Sequence, residues 1–464
     1  MFTNLFSPAL SYRSLRQVCS TVFSIPLLIS TSYATDTIAK VIASGPDTGI
    51  NQQFGPRDIN SRGEIVGTLL QRDGLIRAYR AQNGKHSILP TPRGFSAEAS
   101  AINSEGFISG TLTRESDGVA RPTAWSERSA IVEITIPSDS QGRATKLNDR
   151  RLFVGEQSAL SANCFSDAQA CDTRGFQFGS GIYLPLPQRI ESVNDLTHAG
   201  LIVGSVSNGG RERAMSLTPG RNPFELPGLG SATYSVATAV NSGGTIVGKA
   251  ALANSQLQAF LWNNGRVEQL GALSEGYSVA HDINALSLVV GDSELVPGGL
   301  RHPFIWSRAR GMEDLNQYLP EDSPWELMTA TAINDRGEIV GRGTKYGEQS
   351  DYVLRLAVAK LTPDRESAAK IKNKRGVAKR TTLRFDIEIK DSQNQPLAGS
   401  SYRVERSTNR GKNWSTVTQL ETDEDGREEL TINPTRSAQY RLVGPLGDSF
   451  LPAYDTAAIS VKVR

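Results

Sequence analysis

Short apolar runs alternate with polar turns along most of this chain. The clearest unit is Asp58-Ile59-Asn60-Ser61-Arg62-Gly63-Glu64-Ile65-Val66-Gly67. Ile59 and Ile65-Val66 are β-branched, as strands prefer. Asn60 suits the first position of a tight turn, and Gly63 suits the left-handed position that closes it. The unit reads as a β-hairpin. Gly67 falls inside the second strand, which predicts a close backbone approach there.

The hairpin recurs. Its copies carry Asn103, Gly106 and Gly110; Asn148 and Gly155; Asn194 and Gly204; Asn241, Gly244 and Gly248; Asn284 and Gly291; and Asn334, Gly337 and Gly341. Measured between the asparagines, the spacings are 43, 45, 46, 47, 43 and 50 residues. A second strand pair follows each hairpin. It is plainest in Gln258-Ala259-Phe260-Leu261-Trp262 with Val267 to Leu270, and in His302-Pro303-Phe304-Ile305-Trp306 with Met312 to Leu315. Four short strands per repeat, seven times over, predict an all-β fold: a seven-bladed β-propeller over residues 35–359. Helical repeats of similar length need apolar residues at helical spacing, and that pattern is absent. No Trp-Asp dipeptide recurs, and paired glycines never fall in register. The last repeat lacks a fourth strand, while Thr37 to Ala43 precedes the first hairpin without a partner. Residues 37–43 are expected to complete the seventh blade.

The hairpin Ala-Ile-Asn-x-x-Gly-x-Ile-Val-Gly with its following Ala-Phe-Leu-Trp strand resembles the HAF family of extracellular repeats. The resemblance covers about residues 36–359. The family's His-Ala-Phe tripeptide is not intact: Gln258-Ala259-Phe260 lacks the His and His302-Pro303-Phe304 lacks the Ala. The resemblance implies an exported, propeller-like protein and little about chemistry.

Beyond Leu361 the repeat stops. Residues 360–380 read as a basic linker or a first strand, with Lys370, Lys372, Lys374, Arg375, Lys379 and Arg380 clustered in it. Alternating runs follow, from Thr382 to Ile389 through Ala458 to Val463, and predict a β-sandwich over 381–464. The turns at Asn394 to Gly399 and Thr422 to Gly426, with Tyr440 opening a strand, resemble bacterial Ig-like domains.

The other end of the chain reads as an address. Arg13 and Arg16 precede an apolar stretch around Val22 to Ile29, and Ser32-Tyr33-Ala34 offers a cleavage site. Residues 1–34 are expected to be a secretory signal peptide, too short and interrupted for a membrane span. The expected location is secreted, periplasmic or cell-surface. Cys164 and Cys171 then share one polar loop of the mature chain, where a disulfide is the simplest reading and a redox or metal pair the alternative.

Composition adds limits. The 464 residues hold 50 basic and 48 acidic side chains, which is not the footprint of a nucleic-acid binder. Residues 35–359 carry a net charge of −5 and residues 360–464 one of +5. The 43 glycines fall largely in hairpin turns and strand ends. Four histidines are present, none at metal-ligand spacing, and no nucleophile elbow, phosphate loop or dinucleotide fingerprint occurs. Asp58, Asn60 and Glu64 are too few carboxylates for a calcium loop. We therefore expect no cofactor, no metal site and no catalytic residue. The expected function is an exported, monomeric, non-catalytic binding protein, with extracellular polysaccharide or an envelope protein as partner. The alternative is a carbohydrate-active enzyme, a glycoside hydrolase or lyase, since paired carboxylates from distant blades escape a linear motif search.

Overall fold

Hydrogen-bonded strand pairs organise residues 39–43 and 55–356 into seven four-stranded antiparallel sheets. They were traced in a computed structural model. It describes residues 39–43 and 55–464, apart from 72, 161–172, 188–189, 209–210, 228–233, 252–255, 309, 320–322, 357, 374, 391–395, 397–400, 410–412 and 444–458. The signal-peptide reading and the Cys164–Cys171 reading lie outside the described residues. Sheet one contains Gly55–Ile59, Ile65–Leu70, Ile76–Gln82 and Lys85–Ile88. Sheets two to six repeat this plan. In sheet seven, Trp325–Ile333, Glu338–Lys345 and Glu348–Leu356 are joined by Ala39–Ala43, which pairs antiparallel with Tyr352 to Leu356. The earliest described strand thus completes the last sheet.

Each sheet packs its apolar face on the next. Val66, Ala97, Ile108 and Trp125 form one such core between sheets one and two, and Ile59, Tyr79, Val340 and Val353 form another between sheets seven and one. The result is a propeller-like repeat fold whose last sheet packs on its first.

The turn residues do two jobs. The Oδ1 of Asn60 accepts from the backbone N–H of Arg62 and Glu64, each at 3.0 Å, closing its own hairpin. Its Nδ2 donates to the carbonyl of Asn103, the equivalent turn in the next sheet, at 2.9 Å. Asn103 reaches Asn148 (3.2 Å), Asn148 reaches Thr197 (3.1 Å), Asn241 reaches Asn284 (3.1 Å) and Asn284 reaches Asn334 (3.1 Å). Asn334 reaches Asn60 at 3.0 Å, which joins the seventh sheet to the first. The amide carries an acceptor and a donor on separate atoms, so one side chain closes its own turn and reaches the next.

The fourth repeat corrects the sequence reading. Its turn is built on Thr197, whose hydroxyl accepts from Leu201 N at 3.1 Å, and not on Asn194. Asn194 lies within the strand Ile190–Leu196 and donates across to the Ala237 carbonyl at 2.8 Å. The turn spacings around it therefore become 49 and 44 residues. Any turn residue with a side-chain oxygen can close the hairpin, and a threonine hydroxyl suffices.

The glycines divide into two kinds. Gly63, Gly106, Gly244 and Gly337 have φ between +76° and +89° and close the turns, where Arg151 and Ser287 take the same left-handed position without being glycine. Gly67, Gly110, Gly155, Gly204, Gly248, Gly291 and Gly341 sit opposite a β-bulge in the preceding strand. There an added Cβ would lie between 1.9 and 2.3 Å from a backbone carbonyl oxygen. In most sheets an aromatic ring also covers the glycine, as Phe260 covers Gly248.

The C-terminal region has two further sheets. Val358–Pro363, Leu383–Lys390 and Arg427–Ile432 form one; Ser401–Ser407, Ser415–Glu421, Ala438–Val443 and Ile459–Val461 form the other. The stretch 360–380, read as linker or strand, overlaps the strand Val358–Pro363 and contains a helix, Arg365–Ile371, capped by Asp364. In Leu383–Lys390, Leu383, Phe385, Ile387 and Ile389 turn inward and charged residues turn outward. Their core is continuous with that of sheets six and seven. Among the described residues no helix is long and apolar enough to cross a membrane.

Candidate functional site

Two residues before each turn residue, the inner strands carry Asp58, Ala101, Lys146, Asp195, Ala239, Asp282 and Ala332. The polar members converge. Lys146 Nζ bridges to Asp58 Oδ2 at 3.2 Å, spanning from sheet three to sheet one, and its charge acts on Asp195 and Asp282. Each carboxylate also joins two sheets. Asp58 accepts from Ile59 N and Ile102 N, both at 3.0 Å. Asp195 accepts from Leu196 N and Val240 N, and Asp282 from Ile283 N and Ile333 N, all at 2.8 Å. These acids are committed to backbone N–H groups and to Lys146. Glu64 is likewise taken up by Asn60, Arg62 and Arg80; burial alone would raise it, but these partners hold it below the usual carboxylate range. Among the described residues no group of three His, Cys, Asp or Glu side chains is placed to hold a metal ion.

The acids have a measurable consequence. Burial pushes Asp282 up to about 7, with Lys146 opposing it and Asp58 and Asp195 adding to it. Burial pushes Asp351, which accepts from the Tyr79 hydroxyl at 2.9 Å, up to about 6 against the opposing pull of Tyr79 and Arg342. Both groups bind a proton more tightly folded than unfolded. Their contribution is complete near pH 4 and is lost as pH rises through 6 and 7. The melting temperature is therefore expected to be higher at pH 5.5 than at pH 8, and Asp282→Asn should remove part of the rise. A flat or falling profile between pH 8 and 5.5, measured by calorimetry, would contradict the assignment.

The second feature is a cavity of about 450 Å³ where sheets six, seven and one meet. It lies at the end opposite the asparagine turns, among the links between second and third strands. Arg57, His281, Arg301 and Arg342 line it, with Asp292 and Gln349. His281 Nε2 lies 2.9 Å from Asp292 Oδ2, and Asp292 Oδ1 accepts from Ala330 N at 3.2 Å. Arg301 stacks on the Tyr277 ring, its guanidinium carbon 4.0 Å from the centroid. Arg342 Nη2 donates to Gln349 Oε1 at 3.1 Å. The two hairpin loops beside the cavity expose large apolar side chains: Val296, Leu300 and Tyr346 are 60%, 71% and 82% accessible.

Arg57 and His281 occupy the same repeat position, three before the turn residue. At that position Thr145 donates to Val193 O (2.7 Å), Asn194 to Ala237 O (2.8 Å), Thr238 to Ala280 O (2.8 Å) and Thr331 to Pro56 O (3.0 Å). Four sheets thus use the position to join their neighbour. Sheets one and six place an ionisable side chain there, in the cavity. Sequence reasoning missed both residues. Aligning the hairpins on their strand glycine would have exposed them as Arg, Ser, Thr, Asn, Thr, His, Thr.

Chemically the cavity offers guanidinium donors and an oriented imidazole. Thr331 Oγ1 donates to backbone carbonyls, and Thr329 Oγ1 accepts from Arg342 N at 3.2 Å. The predicted turn residues lie at the other end of the sheets, where their polar groups are spent on the fold.

No protein-family model and no curated protein matches the sequence. Solved structures with some likeness include the β-propeller domain of the Trilobed protease from Pyrococcus furiosus. It has 12% identity and a TM-score of 0.42 over 57% of this chain and 84% of that one. YCF48 bound to D1 peptide has 12% identity and a TM-score of 0.39, covering 68% of this chain and 95% of that one. A mutant of Aleuria aurantia lectin in complex with Fucα1-6GlcNAc has 10% identity and a TM-score of 0.29, covering 57% and 96%.

Proposed function

We propose that this chain is an exported, non-catalytic binding protein, a seven-bladed β-propeller with an Ig-like C-terminal sandwich. Its loop end docks a protein partner that places an acidic side chain in the Arg57/His281/Arg301/Arg342 cavity. Seven consecutive sheets and the Asn334–Asn60 link support the blade count. Two sheets of three and four strands that share one core support the Ig-like reading. The n-region, apolar stretch and Ser32-Tyr33-Ala34 support export.

The observation that carries the docking site is the broken repeat symmetry. Arg57 and His281 stand where four other sheets keep a hydrogen-bonding clamp. Arginine binds carboxylates through paired N–H donors. A rim of Val296, Leu300 and Tyr346 favours a protein partner over a bare anion, because exposed apolar groups around an arginine are the anatomy of an interface. The converging acids Asp58, Asp195 and Asp282 favour binding over glycosidase chemistry, since their oxygens are already engaged.

The test is capture of envelope proteins and cell-wall glycans by the mature chain, scored for retention and for released product. One protein should be retained by the wild type and its affinity lowered at least about tenfold by Arg57→Glu/Arg301→Glu. Both side chains are exposed, so the melting temperature should move by no more than about 2 °C. Equal retention by the variant would reject the cavity as the site, and released sugar product would reject the non-catalytic reading.

A further inference from the structure

A second cavity, of about 1130 Å³, opens between sheets five and six at the end where the asparagine turns lie. We propose that it is a binding site for a neutral oligosaccharide, distinct from the protein-docking cavity.

The sixth turn carries two adjacent departures from the common repeat, the first of them found in no other turn, and both residues line this groove. Two residues after the turn residue the repeats carry Arg62, Glu105, Arg150, Ala199, Gly243, Leu286 and Arg336. Leu286 is the one large apolar side chain in the series, and it is 54% accessible. The next position is glycine in five repeats; Arg151 in the third turn and Ser287 here hold it at φ +57° and +61°. A serine kept in a left-handed conformation stores strain, which persists where something other than stability selects the residue.

Ser307 is the second observation. It lines the same groove, is only 6% accessible, and its Oγ has no hydrogen-bond partner. A buried hydroxyl left unsatisfied is costly, and a ligand hydroxyl would satisfy it. Thr245, also in the wall, accepts from Asn263 Nδ2 at 2.6 Å, which leaves its own hydroxyl hydrogen to donate. Three charged side chains line the groove: Arg308 pairs with Glu268 at 2.7 Å, which leaves Arg266 as a single further positive charge and no charged cluster.

These features select a chemistry. Leu261, Leu286, Leu288 and Trp306 supply an apolar wall, and Thr245 and Ser307 supply hydroxyl donors. A sugar ring has a C–H face and a hydroxyl edge, so it matches both walls at once. A charged peptide would find no unbalanced cluster to answer it. The volume exceeds that of a drug-sized pocket, which points to several linked rings.

The experiment is titration calorimetry of the mature chain with maltotriose, cellotriose, xylotriose, mannotriose and triacetylchitotriose. At least one should bind with a Kd below about 1 mM. Ser307→Ala should weaken that binding at least about fivefold while leaving the melting temperature equal or higher, since it removes the unsatisfied hydroxyl. Leu286→Asp should abolish binding with the fold intact, because the side chain is exposed. Arg57→Glu/Arg301→Glu should leave it unchanged. No binding by any probe, or binding that survives both groove variants, overturns the proposal. Preferential binding of a charged peptide or of polygalacturonate at this groove also overturns it.

Discussion

Gly341→Ala should cost the folded state about 3 kcal/mol or more, whereas Gly244→Ala should cost about 1 kcal/mol. The added methyl at 341 would lie 1.9 Å from the Thr329 carbonyl oxygen and 2.7 Å from the Tyr352 hydroxyl. Neither neighbour can retreat. Thr329 belongs to a strand paired along its length, and the Tyr352 hydroxyl already donates to that carbonyl at 2.8 Å. At Gly244 the space around the methyl is open, and only the backbone, at φ +77°, resists. Two glycines four positions apart in the repeat thus recur for different physical reasons. Urea unfolding of both variants separates them. Equal losses would mean that close approach opposite the bulge is not what selects glycine in the Ile-Val-Gly strand.

Asn334→Asp should be comparably severe, at about 3–5 kcal/mol. The aspartate would keep the oxygen that accepts from Arg336 N and Glu338 N at 3.0 and 2.9 Å. It would replace the Nδ2 that donates to Asn60 O at 3.0 Å and to Glu338 Oε2 at 2.7 Å. Two buried acceptors would then face a third, and one of them is a carboxylate that is fully buried. Asn241→Asp provides the comparison. Its Nδ2 faces the Asn284 carbonyl at 3.1 Å and the Ser287 hydroxyl at 3.4 Å, and a hydroxyl can turn to donate. The loss there should be smaller. Denaturant midpoints at constant slope would measure both. Equal midpoints would show that the Glu338 contact adds nothing to the junction between sheets seven and one.

Much of the candidate site was hidden by the period of the repeat itself. Hairpins aligned on asparagine placed Asn194 in the fourth turn, because Val193-Asn194 looks like Val240-Asn241 in isolation. The strand glycine is the better anchor. It is set by a steric contact that no other residue tolerates, whereas the turn residue needs only a side-chain oxygen. Aligned on Gly204, Thr197 becomes the turn residue and Asn194 joins Thr145, Thr238 and Thr331 as an inter-sheet clamp. The same alignment brings Arg57 and His281 into one column. It also shows Leu286 and Ser287 as outliers of the sixth turn. None of these stands out when the motif is read one copy at a time.

Local chemistry in the sequence determined the hairpins, the number of repeats, the four strands in each and the alternating strands of the C-terminal region. These follow from residue type and short-range spacing: β-branched runs, Asn and Gly in tight turns, and period-two burial. Tertiary structure alone decided what distant residues do together. The sequence placed residues 37–43 in the last blade; the tertiary structure set the register of Ala39–Ala43 against Tyr352 to Leu356 and carried the asparagine links from Asn334 back to Asn60. It also gathered Asp58, Lys146, Asp195 and Asp282, and brought Arg57 beside His281, Arg301 and Arg342. A linear sequence specifies each sheet through neighbours in the chain. The charge clusters and cavities exist only between sheets, where contacts join residues far apart in the chain, such as Lys146 with Asp58, 88 positions away, and Thr331 with Pro56, 275 away.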